Sequence, residues 1–206
     1  IDIMQLSELG FRRTQLKMLE TVSTDLTRRA LLSAFSASVL VAAPTYANAA
    51  GFLRGSGDIR KLSLYSRRSG ERVDTIYWID GEYVREAVRE ISRIMRDWRR
   101  NEIRNIDLRT IDLMAASHAI LDTSEPFQLL SGYRSPQTNA MLRRRSRLVA
   151  KKSLHMSGQA ADLRMGSRSA RQISRAALSC KVGGVGTYSR SNFVHMDCGP
   201  LRAWGR

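Results

Sequence analysis

His155 and Asp162 stand seven positions apart in Ser153-Leu154-His155-Met156-Ser157-Gly158-Gln159-Ala160-Ala161-Asp162, with a glycine and small residues between them. Imidazole and carboxylate both suit Zn²⁺, and three protein ligands plus a water are the usual catalytic zinc arrangement. A third ligand has to come from further along, and Phe193-Val194-His195-Met196-Asp197 offers one. A fold that uses all three must bring the second stretch back onto the first. The spacing alone is a weak signal in a basic chain, and it gains weight from the scarcity of histidine. The chain has three, and two of them lie in these stretches. The other, His118, has no acidic or histidine partner at metal spacing and is expected to be structural.

The first 49 residues read as an extension and an export signal. Arg28-Arg29 precede an apolar run from Ala30 to Ala43, Pro44 ends it, and Ala47-Asn48-Ala49 supplies a small-x-small cleavage pattern. The run falls short of the ~20 residues a spanning helix needs. The arginine pair points to the twin-arginine route, with an ordinary Sec signal or an uncleaved anchor as alternatives. Met18 is the more natural start. The expected organisation is therefore residues 1–49 as extension and twin-arginine-type signal, and 50–206 as one domain working in the periplasm or cell envelope.

Residues 1–49 hold five of the 34 basic and four of the 19 acidic residues, so the remainder keeps a net charge of +14. Such a charge implies an acidic partner. No helix-turn-helix, RNP or finger pattern is present, and an export signal points away from nucleic acid. An anionic wall or membrane surface is the more economical partner, against the plain alternative of a soluble basic surface. Cys180 and Cys198 lie in the exported part, where disulfides persist. They read first as buried thiols or a disulfide, and last as metal ligands.

Residues 61–65 and 72–78 alternate in the strand sense around Ser69-Gly70-Glu71, predicting a hairpin. From Glu82 to Trp98 the apolar residues fall on one face of an amphipathic helix. Asp107 is the N-cap of a second helix running to about Leu121. Residues 127–131 form a short buried strand ending at Gly132-Tyr133-Arg134. Ser135-Pro136 then opens a third helix, serine capping and proline at the first position. Ser169 to Lys181 is a further helix, and residues 185–188 and 193–197 are strands. The pattern predicts one α+β domain, a small antiparallel sheet with helices packed on it.

Ser153-x-His155-x-x-Gly158-x-Ala160-x-Asp162 followed by His195 resembles the zinc D,D-peptidase family M15. Ser131-Gly132-Tyr133-Arg134-Ser135, Gly183-Gly184-Val185-Gly186 and Asn192 to Asp197 narrow the likeness to its murein endopeptidase K-like branch, formerly a domain of unknown function. The likeness runs from about Arg60 to Trp204. It implies a hedgehog/D,D-peptidase-like α+β fold whose sheet carries Zn²⁺ on His155, Asp162 and His195. It also implies a transition-state role for Arg134, substrate contacts at Tyr133 and Ser153, and a monomer acting on peptidoglycan peptide cross-links.

Many members of that family carry Glu three residues before the last histidine ligand, or His two before it. Here Asn192 and Phe193 stand there. If residues 193–197 are a strand, Asp197 shares a face with His195. It is then either the general base or a partner that orients the histidine. Two functions follow: a zinc peptidase cutting peptidoglycan cross-links, or a zinc-stabilised peptidoglycan-binding module that has lost hydrolysis.

Overall fold

The structure, a computed structural model, describes residues 59–205. The expected extension and signal lie outside these residues. Strands β1 (Ile59–Tyr65) and β2 (Arg72–Ile79) form the anticipated antiparallel hairpin. The chain then does something the helical periodicity concealed. Asp80 and Gly81 both take positive φ, 49° and 93°, which makes a tight two-residue turn. Strand β3 (Glu82–Tyr83) therefore folds back on Trp78 and Ile79, and helix α1 begins only at Arg85 and ends at Ile94.

Helix α2 (Leu108–Leu121) is capped by Asp107, whose carboxylate accepts from the Arg109 N–H at 3.0 Å. Strand β4 (Phe127–Ser131) leads to helix α3 (Pro136–Arg145), where the Ser135 hydroxyl accepts from Thr138 N–H. A 3-10 turn (Leu154–Ser157) precedes β5 (Ala160–Arg164). Helix α4 (Ala170–Ser179) has a reciprocal Ser169/Gln172 capping box. Strands β6 (Gly184–Tyr188), β7 (Phe193–Asp197) and β8 (Arg202–Gly205) complete the described chain.

The α+β class holds, and the sheet is larger than expected. Eight strands lie in the order β3-β2-β1-β4-β5-β7-β6-β8, with parallel pairs at β1–β4 and β6–β8. Helix α1 packs on β2, α2 on β1 and β7, and α4 on β6 and β7. The core between them holds Leu64, Ile91, Ile111, Met114, Phe127 and Leu163 with no exposed surface. Each such side chain contributes roughly 1.5–3 kcal/mol by leaving water. On β5 and β7, Ala161, Leu163, Val194 and Met196 join this core. Strand alternation then turns Asp162, His195 and Asp197 to the opposite face.

Candidate active site

The pairing of β5 with β7 sets Asp162 directly across from His195. The third residue arrives from above the sheet, because the 3-10 turn before β5 carries His155, which is 2 % exposed. His155 Nδ1 lies 2.7 Å from the Gly132 carbonyl, which can only accept, so Nδ1 bears the proton and Nε2 presents its lone pair. His195 Nε2 donates to Asp197 Oδ2 at 2.9 Å, which leaves Nδ1 to face the cluster. His155 Nε2, Asp162 Oδ1 and His195 Nδ1 thus converge, with separations of 3.2, 3.2 and 2.9 Å. Ligand bonds of about 2.0–2.1 Å in a tetrahedron set ligand atoms about 3.3 Å apart, so this triangle fits zinc. Among the described residues no other group of histidine, cysteine or acidic side chains converges in this way.

The electrostatics follow from burial among charges. Burial opposes the Asp162 charge, but His155, His195 and Arg134 outweigh it and hold this carboxyl well below the usual range. Complete burial holds His155 below its ordinary value. Burial alone would lower His195 too, yet hydrogen bonds to Asp162 and Asp197 push it up to about 9.

Arg134 sits where the strand-to-helix corner aims it. Buried Asp97 accepts from both the backbone N–H and the hydroxyl of Ser135, at 2.9 and 2.7 Å, and so pins that corner. The Arg134 Nε donates to Ser131 Oγ at 2.8 Å, and its Nη2 bonds Asp162 Oδ2 and lies 3.2 Å from His155 Nε2. The guanidinium, the three convergent residues, Ser153 and Lys152 line one cleft of about 450 Å³.

A profile of the family described as Peptidoglycan L,D-endopeptidase MepK matches residues 54–204. Peptidoglycan L,D-endopeptidase MepK of Escherichia coli (strain K12) is 43% identical over 145 residues, which cover 70% of this chain and 80% of that protein. The chain belongs to this family. The probable peptidoglycan L,D-endopeptidase MepK of Haemophilus influenzae is 34% identical over 146 residues, covering 70% and 78% of the two chains. A solved structure, Serratia marcescens L-Ala D-Glu endopeptidase ChiX, aligns at TM-score 0.33 and 16% identity over 46% of this chain and 68% of its own. That likeness is too distant to bear on fold or function.

Within this MepK-family site, His155, Asp162, His195, Arg134 and Ser153 come together. Two other residues are placed differently from expectation. Tyr133 is packed into the core at 8 % exposure and does not line the cleft; its neighbour Arg134 takes the cleft side of the chain, so Tyr133 points away. Asp197, anticipated as a possible base, is fully buried on the side of His195 away from Nδ1. Its Oδ1 accepts from Gly184 N–H, Gly199 N–H and Arg202 Nη1 at 3.1, 2.9 and 3.1 Å. Its Oδ2 accepts from His195 and, at 2.7 Å, from Arg202 Nη2. Five donors already occupy this carboxylate. Asn192 is used elsewhere, its side-chain carbonyl accepting from Ala170 N–H at the start of α4. Cys180 and Cys198 are buried free thiols, and neither joins the cluster.

Arg202 and Trp204 were not anticipated. They belong to β8, which pairs with β6 and not with β7. Gly184 stands between Asp197 and Arg202, and Gly186 between His195 and Trp204, in consecutive rows across the sheet. A Cβ on Gly184 would lie 2.6 Å from Asp197 and 2.7 Å from Arg202, and one on Gly186 would lie 2.5 Å from the Trp204 ring. Because both positions lack side chains, Arg202 and Trp204 reach across β6 to touch β7. Two glycines two apart on one strand, with Arg-x-Trp on another, were the available signal.

Proposed function

We propose that this chain is a zinc-dependent peptidoglycan endopeptidase that hydrolyses an L,D-peptide bond within peptide cross-links. The observation that carries the reading is the convergence of His155 Nε2, Asp162 Oδ1 and His195 Nδ1 beside Arg134 in one cleft. Membership of a family whose named members are peptidoglycan L,D-endopeptidases supports the substrate class.

Zinc bound by these three side chains would supply Lewis acidity and a water acidified to a pKa of about 7. The chain's own residues do the rest. The Gly132 carbonyl and the Asp197 carboxylate each fix one histidine tautomer, so that the nitrogens facing the cluster would offer lone pairs to a bound metal. Asp197 therefore acts through His195 and is a positioning residue. Arg134 is anchored by Ser131 and by Asp162, which leaves a rigid cation at the cleft wall to steady negative charge developing on the scissile carbonyl oxygen. Lys152 and Arg134 make the cleft electropositive, which suits a substrate bearing free carboxylates.

Export fits the same reading. Arg28-Arg29 ahead of an apolar run support the twin-arginine route to the periplasm or envelope, where the basic surface would meet an anionic wall. The test is incubation of the zinc-loaded full chain with cross-linked muropeptides and identification of the products by mass. Two monomeric fragments from a dimer are expected. A zinc-loaded protein that binds dimers and leaves them intact would be a binding module instead.

A further inference from the structure

The Tyr188 hydroxyl is engaged on one side and free on the other. Tyr188 ends β6 opposite Phe193 of β7, and the two rings stack with centroids 4.4 Å apart and planes within 6°. The Trp204 indole Nε1 lies 3.1 Å from the Tyr188 oxygen. An indole N–H can only donate, so the phenol oxygen is the acceptor and its own proton points elsewhere.

Among the described residues no acceptor takes that proton. The carboxylates on the wall of this cleft are Asp162 and Asp197. Asp162 is held by His155, His195 and Arg134, and Asp197 by its five donors. Beyond the histidines, the other polar side chains of the wall are the cations Arg134, Lys152 and Arg202, which offer no acceptor, and Ser153 and Ser191, neither of which bonds Tyr188. The ring, meanwhile, is fixed twice: by the stack on Phe193 and by Trp204, which lies against side-chain-free Gly186 with its ring 5.4 Å from that of His195.

We propose that Tyr188 is a substrate-positioning residue whose hydroxyl donates a hydrogen bond to a main-chain carbonyl oxygen of the cross-linked peptide, beside the metal-ligating His195. A peptide is rich in carbonyl acceptors, and a donor preset at the cleft wall fixes its register. The inference rests on the endopeptidase reading for the identity of the peptide, and on the geometry alone for the donor.

The test uses the zinc-loaded full chain and Tyr188→Phe, which keeps the aromatic stack and removes the hydroxyl. Two readouts are needed: steady-state hydrolysis of a cross-linked muropeptide dimer, and calorimetric binding of the same dimer made resistant by N-methylation of its scissile amide. Loss of one neutral hydrogen bond should weaken binding of the resistant dimer about 2- to 10-fold. KM should rise by a similar factor with kcat little changed, at unaltered zinc content and melting temperature. Equal affinity of the two proteins for the resistant dimer would overturn the proposal, as would a fall in kcat with KM unchanged. A wild-type protein that binds the resistant dimer more tightly than Tyr188→Phe but cuts nothing would uphold the donor and sink the endopeptidase reading.

Discussion

Asp197→Asn separates an orienting carboxylate from a proton-accepting one. All five contacts to Asp197 are donors, three on Oδ1 and two on Oδ2. Asparagine must turn its NH₂ toward one set or the other. Facing Oδ1's partners it meets three N–H groups, and facing Oδ2's it meets two, so the second placement costs less. There the amide confronts His195 Nε2, which can relieve the clash only by giving up its proton and accepting. The proton then moves to Nδ1, the atom turned toward His155 and Asp162. Binding zinc through Nδ1 would then require the remaining proton to sit on Nε2, against the amide NH₂. Loss of such an outer partner typically weakens metal affinity 10- to 100-fold, about 1.4–2.7 kcal/mol. Zinc dissociation constants from chelator competition should show that loss, and saturating zinc should restore most of kcat. A general base would behave oppositely: unchanged zinc affinity and a kcat lower by ~10²–10⁴ even at saturation. That second pattern would refute the orienting role.

Protons compete with zinc at His195, which is pushed up to about 9 in the metal-free protein. Affinity should climb about tenfold per pH unit from pH 6 to 8 and level off near pH 9, measured by competition titration. The same raised value favours the metal-free fold fully below the unfolded histidine value of about 6.5, and this stability is lost as pH rises through about 9. Melting temperatures of chelator-treated protein should fall across that window, and a flat profile would contradict the assignment. Arg134→Ala should keep stoichiometric zinc at saturation and lose ~10²–10³ in kcat on dimeric muropeptides. Replacing Arg28 and Arg29 by lysine should leave a precursor in the cytoplasm, visible by fractionation; normal export would indicate the Sec route.

Helix starts were legible wherever a cap was local. Asp107, Ser135-Pro136 and Ser169 each signal within a few residues, and all three act as caps. The convergence of His155, Asp162 and His195 was legible because histidine is rare, and strand alternation placed His195 and Asp197 on one face. Other features depend on partners distant in sequence. The amphipathic helix was expected from Glu82, two residues ahead of its first apolar position Val84, but Asp80-Gly81 favours a turn with positive φ, and strand pairing took residues 82–83. Tyr133 lies beside Arg134 in sequence, yet one chain corner cannot send both side chains into the cleft. Of the groups that surround Asp197, Gly199 and Arg202 lie within five residues of it, but only the pairing of β8 with β6 across Gly184 turns the Arg202 guanidinium back onto the carboxylate.

The link between fold and chemistry is clearest at β8. None of its residues converges on the ligand atoms, and it touches the site from two strands away. Side chains on adjacent strands of one face are neighbours, but those two strands apart are normally kept apart by the row between them. Here Gly184 and Gly186 empty that row. Arg202 then reaches Asp197, Asp197 holds the His195 tautomer, and Trp204 lies against His195 while donating to Tyr188. An alanine at 186 would put a methyl carbon 2.5 Å from the indole, and Trp204 would have to move. An edge strand thus reaches Asp197, His195 and Tyr188 without joining the cluster. The glycines that leave β6 poor in packing are what bring its neighbour's side chains to the cleft.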